Sequence, residues 1–147
     1  MADARDTAVR LLQAFNAHDE EAIGTLCAPN SRLEAPGEVR LLGRDALVSR
    51  AVALFNGFPD ARITAQNELV GGPRVMHEFI FEGTHSGLLL GAVGSIPATG
   101  GKVVVRGVLV GRYERKLAID VRLYYDQLDV LTQLGLTPQG VRETPQP

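Results

Sequence analysis

The chain has 147 residues, the length of one ordinary domain, enough to bury roughly two thirds of the surface its unfolded form would expose. Its 15 basic and 17 acidic residues leave a formal charge of −2 spread along the whole sequence, with no field to hold a nucleic-acid backbone or an anionic membrane. The single Cys27 cannot close an internal disulfide; it reads as a small buried hydrophobe of a reducing compartment, with no signature of a reactive thiol around it.

The opening stretch "MADARDTAVRLLQAF" has no uninterrupted hydrophobic region and does not read as a signal peptide, which makes a cytoplasmic location the expectation. No apolar run approaches the roughly 20 residues a membrane helix needs. From about Asp6 to Ala17 the residues Ala8, Val9, Leu11, Leu12 and Phe15 recur at steps of three and four, the stripe of an amphipathic helix. Asp19 is a good N-cap for a second helix, with Glu20 and Glu21 near the positive end of its dipole, and "APN" closes it after Leu26. His18 sits at the corner between the two and reads as structural. A third helix covers about Arg44 to Phe58, with Leu47, Val48, Ala51, Leu54, Phe55 and Phe58 on one side, and stops where Pro59 forbids continuation.

The periodicity then changes to two. Residues 61–70, 74–84, 102–113 and 117–126 read as four long strands, with "VGGPR" and "ERK" favouring antiparallel hairpins. A short helix of about Gln127 to Leu134 follows, capped by Asp126 and ended by Gly135. Helices first and then a strand meander imply an α+β domain. The expected form is a cone-shaped, curved antiparallel sheet packed against three N-terminal helices, with a short C-terminal helix. It occupies residues 1–136, and the Pro-rich "TPQGVRETPQP" at 137–147 is expected to be a flexible tail. A cavity between the concave side of the sheet and the helices is where a small ligand would go.

Face assignment follows from alternation. On the last strand Ile119, Val121, Leu123 and Tyr125 share one side, and Asp120, Arg122 and Tyr124 the other. The aliphatic row is expected to face inward and the Asp/Arg/Tyr row outward, for cross-strand pairing or a homodimer contact, unless a bulge reverses the parity. On the second strand Val75, His77, Phe79 and Phe81 form the more apolar, inward row, and His85 continues it. Asn67 is placed on the same face as Ile63, Ala65 and Leu69.

Five segments, "FNAHDEEAI", "FPDARI", "EGTHSG", "IPATGGKV" and "YYDQLDVLTQLG", occur in an order and spacing that resembles the SnoaL-like polyketide cyclases of the nuclear transport factor 2-like superfamily. The resemblance spans about residues 5 to 136 and implies the cone fold, no metal or organic cofactor, and ring closure by intramolecular aldol condensation. In that chemistry a desolvated Asp removes a proton next to a carbonyl and donors hold the enolate. The family's Asp falls on Leu123 and its partner His near Leu109, so both polar positions are aliphatic in this chain.

The residues that could still do chemistry are His77 and His85 as bases, with Asn67 or Tyr125 binding an enolate oxygen. Asp120, with Arg122, would serve epoxide hydrolysis if the strand parity were reversed. Phe79, Phe81, Leu109 and Leu123 would supply the apolar contacts. Three readings stand: a cyclase or isomerase acting on a hydrophobic polyketide-like molecule, a non-catalytic pocket protein for such a molecule, and an epoxide-hydrolase-like enzyme. The aliphatic stretch "GLLLGAVGSIPATGG" is read as a lid or a dimer-facing loop.

Overall fold

The structure is a computed structural model that describes residues 2–91 and 94–136. The expected tail at 137–147 lies outside the described residues. In chain order the elements are α1 (Ala2–Asn16), α2 (Glu20–Thr25), β1 (Cys27–Ala35), β2 (Val39–Leu42), α3 (Arg44–Gly57), β3 (Arg62–Gly71), β4 (Arg74–Thr84), β5 (Leu89–Gly91), β6 (Gly94–Ile96), β7 (Lys102–Glu114), β8 (Leu117–Tyr125) and α4 (Gln127–Gln133). Six strands make one curved sheet in the order β2-β1-β8-β7-β4-β3, and β5 and β6 form a separate small hairpin.

The α+β architecture is the one the sequence implies, but the sheet is mixed rather than wholly antiparallel, because β1 runs parallel to β8. Strands β1 and β2 were not legible in advance. "CAPNSRLEA" carries the turn formers Pro, Asn and Ser, and Pro29 is tolerated because it falls in the interruption of register between Cys27 and Arg32. The two anticipated hairpins are present. Arg115 and Lys116 both adopt positive φ, 53° and 63°, as a two-residue turn between strands requires, and Gly72 does the same at 59°.

Two bulges set which side chains face the helices. One extra residue on β3 between Ala65 and Asn67 breaks the register with β4. Another on β8 lies between Ala118 and Asp120, opposite the step from Tyr113 to Arg112. Alternation therefore does not run through the whole of β8: Ala118 and Val121, three apart, both face the core, and the expected continuous row from Leu117 through Ile119 to Leu123 is broken at Ile119.

The segments that carry the family resemblance turn out to be clasps between elements. Asn16, at the end of α1, imitates a neighbouring strand: its Oδ1 accepts from the Ile63 N–H at 2.7 Å and its Nδ2 donates to the Ile63 carbonyl at 2.8 Å. His18, at φ 52°, donates from Nε2 to the Ala61 carbonyl at 2.8 Å and stacks on Phe55 at 4.1 Å, the corner role its position suggested. Asp60 accepts the Thr84 N–H at 2.7 Å, a bond that holds its carboxyl below the ordinary range. Gln133 of α4 brackets Val104, accepting its N–H and donating to its carbonyl. Asp126 caps α4 by accepting from Asp129 N–H, and Gly135 follows at φ 75°.

The core divides into two clusters. Ala4, Ala8 and Ala14 bring α1 close to the sheet over Val75, Tyr113, Ala118 and Val121, while Phe58, Ala61, Val103, Val105 and Leu134 close the other end. Between them the cone is not filled.

Candidate functional site: a hydrophobic hollow in the cone

The hollow has a volume of about 270 Å³ and is lined from every layer. Helix α1 contributes Leu11, Leu12 and Phe15, and α3 contributes Leu47, Arg50, Ala51 and Leu54. The sheet supplies Ile63, Phe79, Phe81, Leu109, Val121, Leu123 and Tyr125, all from its concave side. The β5–β6 hairpin adds Leu89, Leu90 and Ile96, and α4 adds Gln127, Val130 and Leu131. Such a space lies just below the roughly 300 to 1,000 Å³ of drug-sized sites, and its walls favour an oily guest of a few rings at most.

Its polar groups are few. Arg50, Tyr125 and Gln127 are among the lining residues, with the Cys27 thiol, which burial pushes upward in pKa and so keeps protonated at neutral pH. Among the described residues the lining includes no carboxylate and no imidazole. Leu109 and Leu123 face one another across the β7–β8 ladder, both on the hollow. Where the family resemblance expects a His and an Asp, the wall is therefore aliphatic.

Phe79, Phe81, Leu109, Leu123 and Tyr125 are thus brought together on the hollow, and the polar candidates are not. His77 does face the concave side and is 2% exposed, but it lies beyond Phe79, under the N-terminal half of α1 and outside the lining. There its Nε2 bonds Glu68 Oε2 at 2.9 Å, and Glu68 Oε1 accepts from Arg5 Nε at 2.6 Å. The hydrogen bond from His77, with Arg5 beside it, holds the Glu68 carboxyl below the ordinary glutamate range. This carboxylate was missed because simple alternation puts Glu68 outside; the β3 bulge turns it in.

The same bulge turns Asn67 out. Its Nδ2 donates to Glu78 Oε1 at 2.8 Å on the convex face, so the expectation of an inward Asn67 that holds an enolate is replaced by a surface pair. Asp120 also sits on the convex face, where Arg32 Nη2 at 3.1 Å and Arg122 Nη2 at 3.5 Å flank its Oδ2. The β8 bulge lies on the far side of Asp120 from the hollow, so the parity reversal that would aim this acid inward does not occur. His85 is fully buried below the β5–β6 hairpin. Its Nδ1 accepts the Thr99 N–H at 3.3 Å and lies 3.0 Å from Thr99 Oγ1, its ring packs on Phe58 at 5.4 Å, and its Nε2 has no hydrogen-bond partner among the described residues. Together with the His85 N–H to Gly101 and Gly100 N–H to His85 bonds, it pins the two ends of the loop that carries the hairpin.

Arg50 went unnoticed in the sequence, although a signal exists. It stands three residues after Leu47 and four before Leu54, a charge in the middle of the apolar stripe of α3. Among the described residues no three His, Cys, Asp or Glu side chains gather as a possible metal-ligand set. No helix among them is long and apolar enough to cross a membrane.

A curved six-stranded sheet wrapped over three helices around an apolar hollow defines a cone-shaped α+β domain of the nuclear transport factor 2-like kind. Residues 6–134 match the model of the SnoaL-like polyketide cyclases, and the chain belongs to that family. Among solved structures, a candidate SnoaL-like polyketide cyclase from Jannaschia sp. CCS1 superposes with a TM-score of 0.81 at 24% identity, over 93% of this chain and 94% of that one. IdmH, a candidate polyketide cyclase from Streptomyces antibioticus, gives 0.74 at 25% identity, over 90% and 99%. An LEH-like epoxide hydrolase from M. tuberculosis gives 0.72 at 14%, over 91% and 90%, a likeness of fold alone. No curated protein matches the chain.

Proposed function

We propose that the cone receives a hydrophobic, polyketide-like small molecule and that its first role is to bind and shape that guest. The observation that carries this reading is the lining itself: about 270 Å³ of space walled by aliphatic and aromatic side chains, with Arg50, Tyr125 and Gln127 as its polar points. Thermal unfolding followed with and without neutral naphthalene-class esters tests it. An increase in Tm that disappears in Leu54→Trp, which fills the hollow, is the expected result. No stabilisation by any hydrophobic ligand would count against the reading.

Cyclase or isomerase chemistry is the second reading, favoured by membership of the family. With leucine at positions 109 and 123, such a reaction in this chain would draw on orientation of the folded guest and on the Tyr125 hydroxyl as a donor to a developing enolate. His77, one pleat away and already oriented by Glu68, is the imidazole best supported as a base; His85 and Asp120 are held by Thr99 and by two arginines. Unchanged turnover of a true substrate in His77→Ala would remove that role. Epoxide hydrolysis loses its support with Asp120 on the convex face. A cytoplasmic homodimer completes the proposal: Leu42, Leu69, Val104 and Tyr124 stand exposed on the same convex face as the Asp120–Arg122 pair, and light scattering of the purified chain tests the pairing.

A further inference from the structure

We infer that the hollow selects guests bearing a single negative charge on oxygen, a carboxylate on an otherwise apolar ring system, and that Arg50 is the residue that reads this charge. The inference rests on the pocket reading above and names the chemical class of the guest.

Arg50 is the only charged side chain among the lining residues described, and it is half-buried there. The ion pairs of the described residues engage Arg5, Arg10, Arg32, Arg112 and Arg122, and none engages Arg50. It also has no hydrogen bond to another described residue. The stripe of α3 on which it lies is otherwise Leu47, Ala51 and Leu54, a surface on which a leucine in its place would pack without desolvating a charge. A guanidinium kept at an oily wall without a carboxylate is incomplete, and its planar fork of donors fits the two oxygens of one carboxylate. Gln127, exposed and also among the lining residues, adds an amide donor. With no acid among the described lining residues to compete, the anion comes with the guest. Apart from the Tyr125 hydroxyl and the Cys27 thiol the remaining walls are aliphatic and aromatic, so the second half of the ligand is largely apolar.

Isothermal titration calorimetry at neutral pH compares 1-naphthylacetate with its methyl ester, on the native chain and on Arg50→Met and Arg50→Lys. The acid is expected to bind about ten- to a hundredfold tighter than the ester to the native chain, the range of one charge-assisted bidentate contact. Arg50→Met should erase that preference by lowering acid affinity far more than ester affinity, and Arg50→Lys should restore part of it. Equal affinity for acid and ester in the native chain overturns the inference and leaves the pocket reading standing. A preference that survives in Arg50→Met overturns it too. Binding of neither probe to a folded chain overturns both.

Discussion

Glu68 Oε2 lies 2.9 Å from Nε2 of His77, across a β3–β4 register that a single extra residue has shifted so that Glu68, not Asn67, faces inward. The carboxylate is depressed in pKa by that bond and by Arg5, so the sign is fixed. Its contribution to stability is present above the ordinary glutamate pKa and is lost as pH falls through that value toward the folded one. Glu68→Gln should therefore cost about 1 kcal/mol or less near pH 7, because the side chain remains partly wetted and an amide keeps one hydrogen bond. Urea midpoints measured from pH 7 to pH 3 should show native and variant converging as the acid titrates. A gap that stays constant over that range would mean the His77 contact does not involve the charge.

His85 and Thr99 join the two ends of the loop that carries Leu89, Leu90 and Ile96 to the hollow. His85→Ala should destabilise by about 1 to 3 kcal/mol, through the lost packing on Phe58 and an unsatisfied Thr99 amide. Limited proteolysis between residues 86 and 100 should quicken, and neutral probe affinity should fall with it, since one wall of the hollow is no longer pinned. A normal cleavage rate would show that the hairpin's packing against α3, where Leu89 lies over Gly57, holds the loop without the histidine.

Gly107, paired with Phe79 across the β4–β7 ladder, leaves room for the Phe79 ring. A Cβ at this position would approach Phe79 Cζ to 2.5 Å and the Tyr124 carbonyl to 2.6 Å. Phe79 lines the hollow, so a displaced ring takes up space there, and the backbone contact cannot relieve itself by a rotamer change. Gly107→Ala is expected to cost about 1 to 3 kcal/mol as overpacking. It should also weaken a neutral naphthalene ester at least about tenfold, because the displaced ring occupies the guest's space. Affinity unchanged at reduced stability would place the guest away from Phe79.

The sequence disclosed what is periodic and what is a clasp. Leu11, Leu12 and Phe15 announce the face of α1, Asp19 and Asp126 announce their helices by capping chemistry, and Arg115–Lys116 announces its hairpin by position. The inward row of β4 was equally legible because no bulge interrupts its register with β7. What failed to show has one physical source. A bulge adds a residue without a sequence signature, so Asn67 and Glu68 exchanged faces unannounced, and the alternation Leu117, Ile119, Val121 concealed the break at Ile119. Strand β1 was hidden by Pro29 and Asn30, residues that normally punctuate strands and that a register gap accommodates here. The motifs mix two kinds of residue: Asn16, His18, Asp60, His85 and Gln133 tie elements together, whereas Phe15, Ile63, Ile96, Tyr125 and Val130 line the hollow, and their types alone do not separate the two roles.

The dryness of the hollow at Leu123 has its own test, because that is where the family resemblance places an acid. Leu123→Asp puts a carboxyl opposite Leu109 in hydrocarbon, so desolvation should raise its folded pKa above the unfolded value near 3.9. A raised acid binds its proton more tightly in the folded state, and stability then falls as pH rises through the unfolded value and levels off above the folded one. The variant is expected to lose about 1 to 2 kcal/mol at pH 4, from lost packing, and about 3 to 5 kcal/mol at pH 7, where the charge must also be accommodated. Leu123→Asn, equally polar but without a titration, should show one penalty at both values. Urea unfolding of the three chains at pH 4 and 7 makes the comparison. If Leu123→Asp and Leu123→Asn track each other across that interval, the hollow is wet at this wall, and an aspartate would gain no basicity there.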